Sequence, residues 1–224
     1  AIICAPMILQ IRTLPILFLL GFCLQTTAAD EASEKAPDEK APKIEAPKQP
    51  VSRDSKVTIG GEVISYTATT GKMQLRDGKG KPKASIFYVS YTRSLVKDTK
   101  QRPVMFAFNG GPGSSAVWLH LGILGPRRIV FPGDGTAPLQ APARLIENDM
   151  SILDGCDLVF IDPISTGYSR AAEGADPKDF HGIEGDIESV GDFIRIWVTE
   201  NKRWGSRKYL CGESYGGVRA AGLS

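Results

Sequence analysis

Histidine is nearly missing from this chain: there are 2 in 224 residues, His120 and His181. Cysteine is almost as scarce at 4, and no cysteine/histidine cluster has ligand spacing, which argues against a bound metal. A net charge of +2 without any Lys/Arg run gives nucleic acid nothing to hold. No internal repeat is visible, and no nucleotide or redox cofactor is implied. The cysteines are too few for a disulfide framework. Cys4 and Cys23 fall in the first segment, and Cys156 and Cys211 each sit beside an apolar run, as buried thiols do. The two are expected at opposite ends of their strands and unbonded to each other.

What is present begins with an export layout. Arg12 precedes an apolar stretch from Leu14 to Leu24, then small residues, with cleavage expected after Ala29. A membrane span is the rival reading, but the stretch is short and Pro15 interrupts it. Phe22 before Cys23 argues against a lipid anchor. The protein is therefore expected to be periplasmic or extracellular, without stable membrane association. Residues 30–55 carry no aromatic side chain and space Pro37, Pro42, Pro47 and Pro50 among mixed charges. Such text cannot bury enough surface to offset its ordering entropy, so it reads as a solvated tether. The folded domain is expected over 56–224.

From Val57 to Arg93, β-rich runs alternate with turn signals at Gly60-Gly61 and Asp77-Gly78, which predicts an antiparallel meander. "PVMFAF", "DLVFID" and "RKYLC" are short apolar runs ended by polar or glycine-rich text, as buried parallel strands are. Ile183, Ile187, Val190, Ile194, Trp197 and Val198 recur at helical spacing, with Asp186, Asp192, Arg195 and Glu200 assigned to the opposite face. Helix, strand, glycine turn and helix start in succession make an α/β fold.

Three stretches carry chemistry. Gly212-Glu213-Ser214-Tyr215-Gly216 spells G-x-S-x-G after a strand and before helix-permissive text. A serine nucleophile needs that context, because a tight strand-to-helix turn stands its hydroxyl clear of the sheet. "FNGGPGSS" follows the "PVMFAF" strand, where an acyl-transfer enzyme places backbone N–H donors for a developing oxyanion. Gly110 and Gly111 allow close approach there. The same text, Gly111 to Ala116, also fits a dinucleotide fingerprint, but no strand with a ribose-binding acid follows at the expected distance. The third stretch, "DLVFIDPISTGYSR", reads as a buried strand and a turn.

"NGGPGSS", "DLVFIDPISTGYS" and "GESYGG", in that order, resemble the serine carboxypeptidases, an α/β-hydrolase family, from about Gly60 onward. The resemblance implies Ser214 as nucleophile and the amides of Gly111 and Tyr215 as oxyanion donors. It implies Asn109, Gly110 and Glu213 as the place where a peptide's C-terminal carboxylate binds, Glu213 sharing a proton with it. Peptides or proteins are then the substrates, and no cofactor or metal is implied. The chain departs from the family pattern at Ala107, where tryptophan is usual, and at Ile123, where a second carboxylate-binding glutamate is usual. It departs again at Ser114, in place of cysteine, and in a third motif one residue shorter. An aminopeptidase or esterase of the same fold stays open, as does a non-catalytic peptide-binding remnant.

In this fold the acid and then the histidine follow the nucleophile along the chain, and nothing after Ser214 is either. His120, among Trp118, Leu119 and Leu121, reads as a packing residue, and His181 as solvated. The base and its orienting acid are therefore expected outside this chain, which is read as the N-terminal part of an α/β-hydrolase, inactive by itself. On that reading "RKYLC" is an exposed apolar edge prone to aggregation.

Overall fold

The paired turn glycines work as hairpin closures. Gly60 and Gly61 both take positive φ (56° and 83°), the two-residue turn that matches strand twist, and join β1 (Val51–Ile59) to β2 (Glu62–Arg76). Asp77 accepts from the Lys79 and Lys81 amides at 2.9 and 2.8 Å and turns the chain into β3 (Pro82–Arg93). The computed structural model describes residues 49–131, 133 and 141–224, so the expected signal segment and the tether up to residue 48 lie outside the described residues.

β1 starts at Val51, before the expected boundary at 56. Its first residues are exposed and, after Val51, polar, yet they pair with β2 through Ser52–Thr69 and Asp54–Thr67 hydrogen bonds of 2.8 and 2.7 Å. Ladder pairing, rather than burial, makes that text a strand.

The main sheet runs β1-β2-β3-β7-β4-β9, with β4 at Val104–Phe108, β7 at Asp157–Ile161 and β9 at Lys208–Gly212. The three apolar runs are the strands expected, and β4 lies parallel to both β7 and β9. β5 (Arg127–Ile129) and β6 (Leu145–Glu147) form a separate hairpin, and β8 (Arg170–Ala171) adds to β3. Ala107 stands beside Phe160 on one neighbour and Cys211 on the other. The carboxyl ends of the three parallel strands therefore come level, and Asn109, Asp162 and Glu213 leave the sheet side by side. β9 is the last strand of the described sheet, with Lys208 and Tyr209 exposed.

Helices cover both faces. On one, α2 (Ile183–Glu200) buries Val190, Phe193, Trp197 and Val198 against Phe106 and Phe108, with the Phe106 and Trp197 rings edge to face at 5.5 Å. On the other, α1 (Val117–Leu119), continued by a π-helical turn over His120–Leu124, packs Leu119 with Tyr91, Leu158 and Phe160. α3 (Tyr215–Leu223) follows β9. The helix expected over 183–198 is there, but its faces differ from the expectation. Asp186 shares the face of Val190, Phe193 and Trp197 and is buried, with the buried Arg219 of α3 as its partner, and Ile183 is 58% exposed.

A second buried charge group anchors the strand starts. Asp157 accepts from Arg102 Nε (2.7 Å), Arg203 Nη1 (2.6 Å) and the Arg93 amide (2.9 Å). Cys156 and Cys211 are free thiols, as expected, and burial pushes Cys156 up to about 11.

Candidate active site

Ser214 takes φ 57° and ψ −124° between β9 and α3. A non-glycine residue held there stores roughly 1–3 kcal/mol of strain. In return its side chain is exposed at the rim of the sheet, ahead of the first turn of α3. The flanking glycines are demanded by backbone crossing. A Cβ on Gly212 would collide with the Gly216 carbonyl, and one on Gly216 would stand 2.7 Å from the Phe108 oxygen.

The glycine-rich loop after β4 presses against this turn. A Cβ on Gly110 would collide with the Tyr215 amide nitrogen and stand 2.6 Å from the Glu213 oxygen. Gly111 and Gly113 take φ of 111° and 112°, closed to L side chains, and the Ser114 amide turns back to the Gly110 carbonyl at 3.1 Å. The amide of residue 215 and the Gly110-Gly111 backbone are thus brought together by contact rather than by a flexible side chain.

Asn109 is fully buried and its amide is spent in two directions. Nδ2 donates to Glu213 Oε2 at 3.2 Å, while Oδ1 accepts from the Leu119 amide at 3.1 Å. Glu213 itself is exposed beside Ser214. Every site residue expected from sequence (Ser214, Gly111, Tyr215, Asn109, Gly110 and Glu213) therefore lies in one constellation at the carboxyl ends of β4 and β9.

Sequence reasoning missed what supports it. Asp162 accepts from the Ala116 amide at 2.9 Å and the Tyr168 amide at 3.3 Å, tying the third motif to the loop of the first. Burial pushes its carboxyl up, and those two backbone donors pull the other way. A Cβ on Gly167 would collide with that carboxylate, which explains this glycine. Arg219 donates to the Asn109 carbonyl at 3.0 Å, pairs with Asp186 at 2.8 Å, and lies over the Phe108 and Tyr215 rings at 5.2 and 5.5 Å. The Arg219–Asp186 pairing had no local signal, since its partners are far apart in sequence on α2 and α3.

Neither histidine stands with Ser214. His120 Nε2 shares a 2.6 Å hydrogen bond with Tyr91 Oη, its ring stacks on Phe160 at 4.5 Å, and burial pushes it down to about 4. This is the packing role expected. His181 is exposed, but it is not merely solvated: Nε2 lies 2.9 Å from Ser165 Oγ.

The strand order, the serine turn and the glycine loop pressed on it are those of an α/β-hydrolase, and the sequence model for serine carboxypeptidases matches residues 64–224. The chain belongs to the serine carboxypeptidase family. It is 33% identical over 159 residues to a pheromone-processing carboxypeptidase KEX1 of Cryptococcus gattii, covering 70% of this chain and 22% of that one. Serine carboxypeptidase-like 29 of Arabidopsis thaliana is 28% identical, over 69% of this chain and 30% of the relative. The crystal structure of the prohormone-processing carboxypeptidase Kex1(Δ)p from Saccharomyces cerevisiae superposes with a TM-score of 0.57 at 25% identity, over 70% of this chain and 33% of that one. The chain thus spans between about a fifth and a third of the length of the serine carboxypeptidases it matches.

Proposed function

We propose that the protein is a serine-type carboxypeptidase that removes C-terminal residues from peptides through an acyl-enzyme on Ser214. Ser214 Oγ adds to the scissile carbonyl while the Gly111 and Tyr215 amides hold the oxyanion. The leaving C-terminal residue takes a proton as the ester forms, and water then releases the acyl group. Asn109, with Gly110 keeping the loop close, and Glu213 hold the substrate's carboxylate. A carboxylate beside a carboxylate needs a shared proton, which ties binding to acid conditions. The general base and its orienting acid are proposed to come from sequence outside these 224 residues.

The observation that carries this reading is the fit of Gly110 against the Tyr215 amide, next to a serine at φ 57°. An idle glycine turn has no need of strain at its serine or of a second loop pressed on its amide.

The test uses protein expressed from its full open reading frame. A fluorophosphonate probe should label it, Ser214→Ala should abolish labelling, and the enzyme should release C-terminal residues from peptides near pH 5. Turnover only of esters, or only from the amino terminus, would assign it to another reaction of the fold. Peptide binding without labelling would make it a binding protein. Export is proposed as well, on the apolar stretch from Leu14 to Leu24, and amino-terminal sequencing of the mature protein should begin at Asp30.

A further inference from the structure

Beside Tyr215 the surface opens into a cavity of about 360 Å³. That is near the lower end of ligand-sized pockets, and it suits one large side chain rather than a run of peptide. Pro112, Pro163, Ile164 and Phe180 make most of its wall apolar, while Ser165 and His181 supply a polar end. Asp186 and Arg219 also line it, but they are paired at 2.8 Å, so neither is free to hold a charged guest.

The polar end is built. Ser165 takes φ 69°, a region that serine rarely occupies. The Thr166 amide and hydroxyl both donate to the Pro163 carbonyl, at 3.0 and 2.8 Å, and fix the turn. His181 follows the turn Pro177–Phe180, whose Asp176 cap accepts from the Lys178 amide at 2.9 Å. The two turns bring His181 Nε2 to 2.9 Å from Ser165 Oγ. A hydroxyl has one donor and two acceptor positions, so Ser165 bonded to an imidazole still has capacity for a second partner.

Neither Asn109 nor Glu213 lines the cavity, which borders the site through Pro112, Gly113, Tyr215 and Arg219. It therefore lies away from the end where the substrate carboxylate is held. Resting on the carboxypeptidase reading above, we propose that the Ser165–His181 pair selects a hydroxyl-tipped aromatic side chain on the residue whose carbonyl Ser214 attacks. The apolar wall takes the ring of a tyrosine, and the pair meets its phenol.

The experiment compares N-blocked dipeptides with tyrosine or phenylalanine as the penultimate residue and alanine at the end, using the enzyme from its full reading frame. Wild type should favour tyrosine in kcat/KM on the order of fivefold, the scale of one hydrogen bond. Ser165→Gly removes the hydroxyl where the backbone already suits glycine. His181→Ala acts on an exposed side chain. Each variant should bring the ratio near one and leave the phenylalanine substrate within about twofold. An active enzyme with an unchanged ratio in both variants, or with no tyrosine preference to begin with, overturns the proposal alone. Absence of both labelling and hydrolysis in wild type defeats the carboxypeptidase reading and this one with it.

Discussion

Asn109 and Glu213 leave adjacent parallel strands and meet at 3.2 Å, amide to carboxylate, with Ser214 next along the chain. A buried amide fixed at its oxygen by Leu119 cannot swing away, so Glu213 is aimed rather than free. Glu213→Gln keeps the shape and removes the proton-sharing acid. It should raise KM for peptides with a free C-terminal carboxylate by about tenfold, or ~1.4 kcal/mol, with no matching rise for C-terminal amides. An equal rise for both substrates would mean that Glu213 does not contact the carboxylate.

Gly110 should tolerate nothing larger. Its Cβ position is closed by backbone atoms of Glu213, Tyr215 and Gly216, which cannot move aside as a side chain could. Gly110→Ala should cost on the order of 2–3 kcal/mol by overpacking and abolish fluorophosphonate labelling. Gly78 is the control: nothing lies within 4 Å of a Cβ there, so Gly78→Ala should change stability by no more than about 1 kcal/mol. Thermal melts of both variants check this.

The local requirements of the site were plain in the sequence, and its long-range supports were not. Gly212, Ser214 and Gly216 can be read because a strand-to-helix turn imposes steric rules within five residues. The parallel strands could be read because their apolar runs are continuous. Asp186 could not, since its charge argued for the polar face although its spacing to Val190, Phe193 and Trp197 puts it on the buried one, where Arg219 is its partner. Asp162 looked like the polar end of a strand, yet it holds two loops together. The start of β1 was hidden for a different reason: cross-strand hydroxyl and carboxylate pairs leave no apolar pattern.

Asp157 carries two arginines in a buried setting, so its partners should not be removable singly. Arg203→Leu leaves the carboxylate with Arg102 alone and should destabilise the domain by about 3 kcal/mol. Adding Asp157→Asn should cost further, but less than the same change costs in wild type, because one of the carboxylate's two arginine partners is already gone. Urea unfolding of the two singles and the double measures the coupling. Strict additivity would mean that the group is not a unit.

His120 should make stability fall in acid. Its folded pKa, about 4, lies below the unfolded value of 6.5, with burial as the cause. The neutral imidazole is thus favoured by folding: the contribution is complete above pH 6.5 and is lost as pH falls toward 4. The ring is partly exposed, which reduces the effect to on the order of 2 kcal/mol. His120→Gln should melt with less pH dependence than wild type between pH 7 and 4.5. Parallel curves would show that the imidazole is not the titrating group.

Asn109 and Glu213 are 104 positions apart, and β4 has no parallel partner on its β9 side until Lys208–Gly212 arrives. Loop closure over such a span is slow, so the meander and its hairpins can form long before the serine turn does. During synthesis the glycine loop after β4 exists first without the Tyr215 amide that presses on it. A newly made chain therefore lacks the proposed oxyanion site until Lys208–Gly212 has been made and paired with β4.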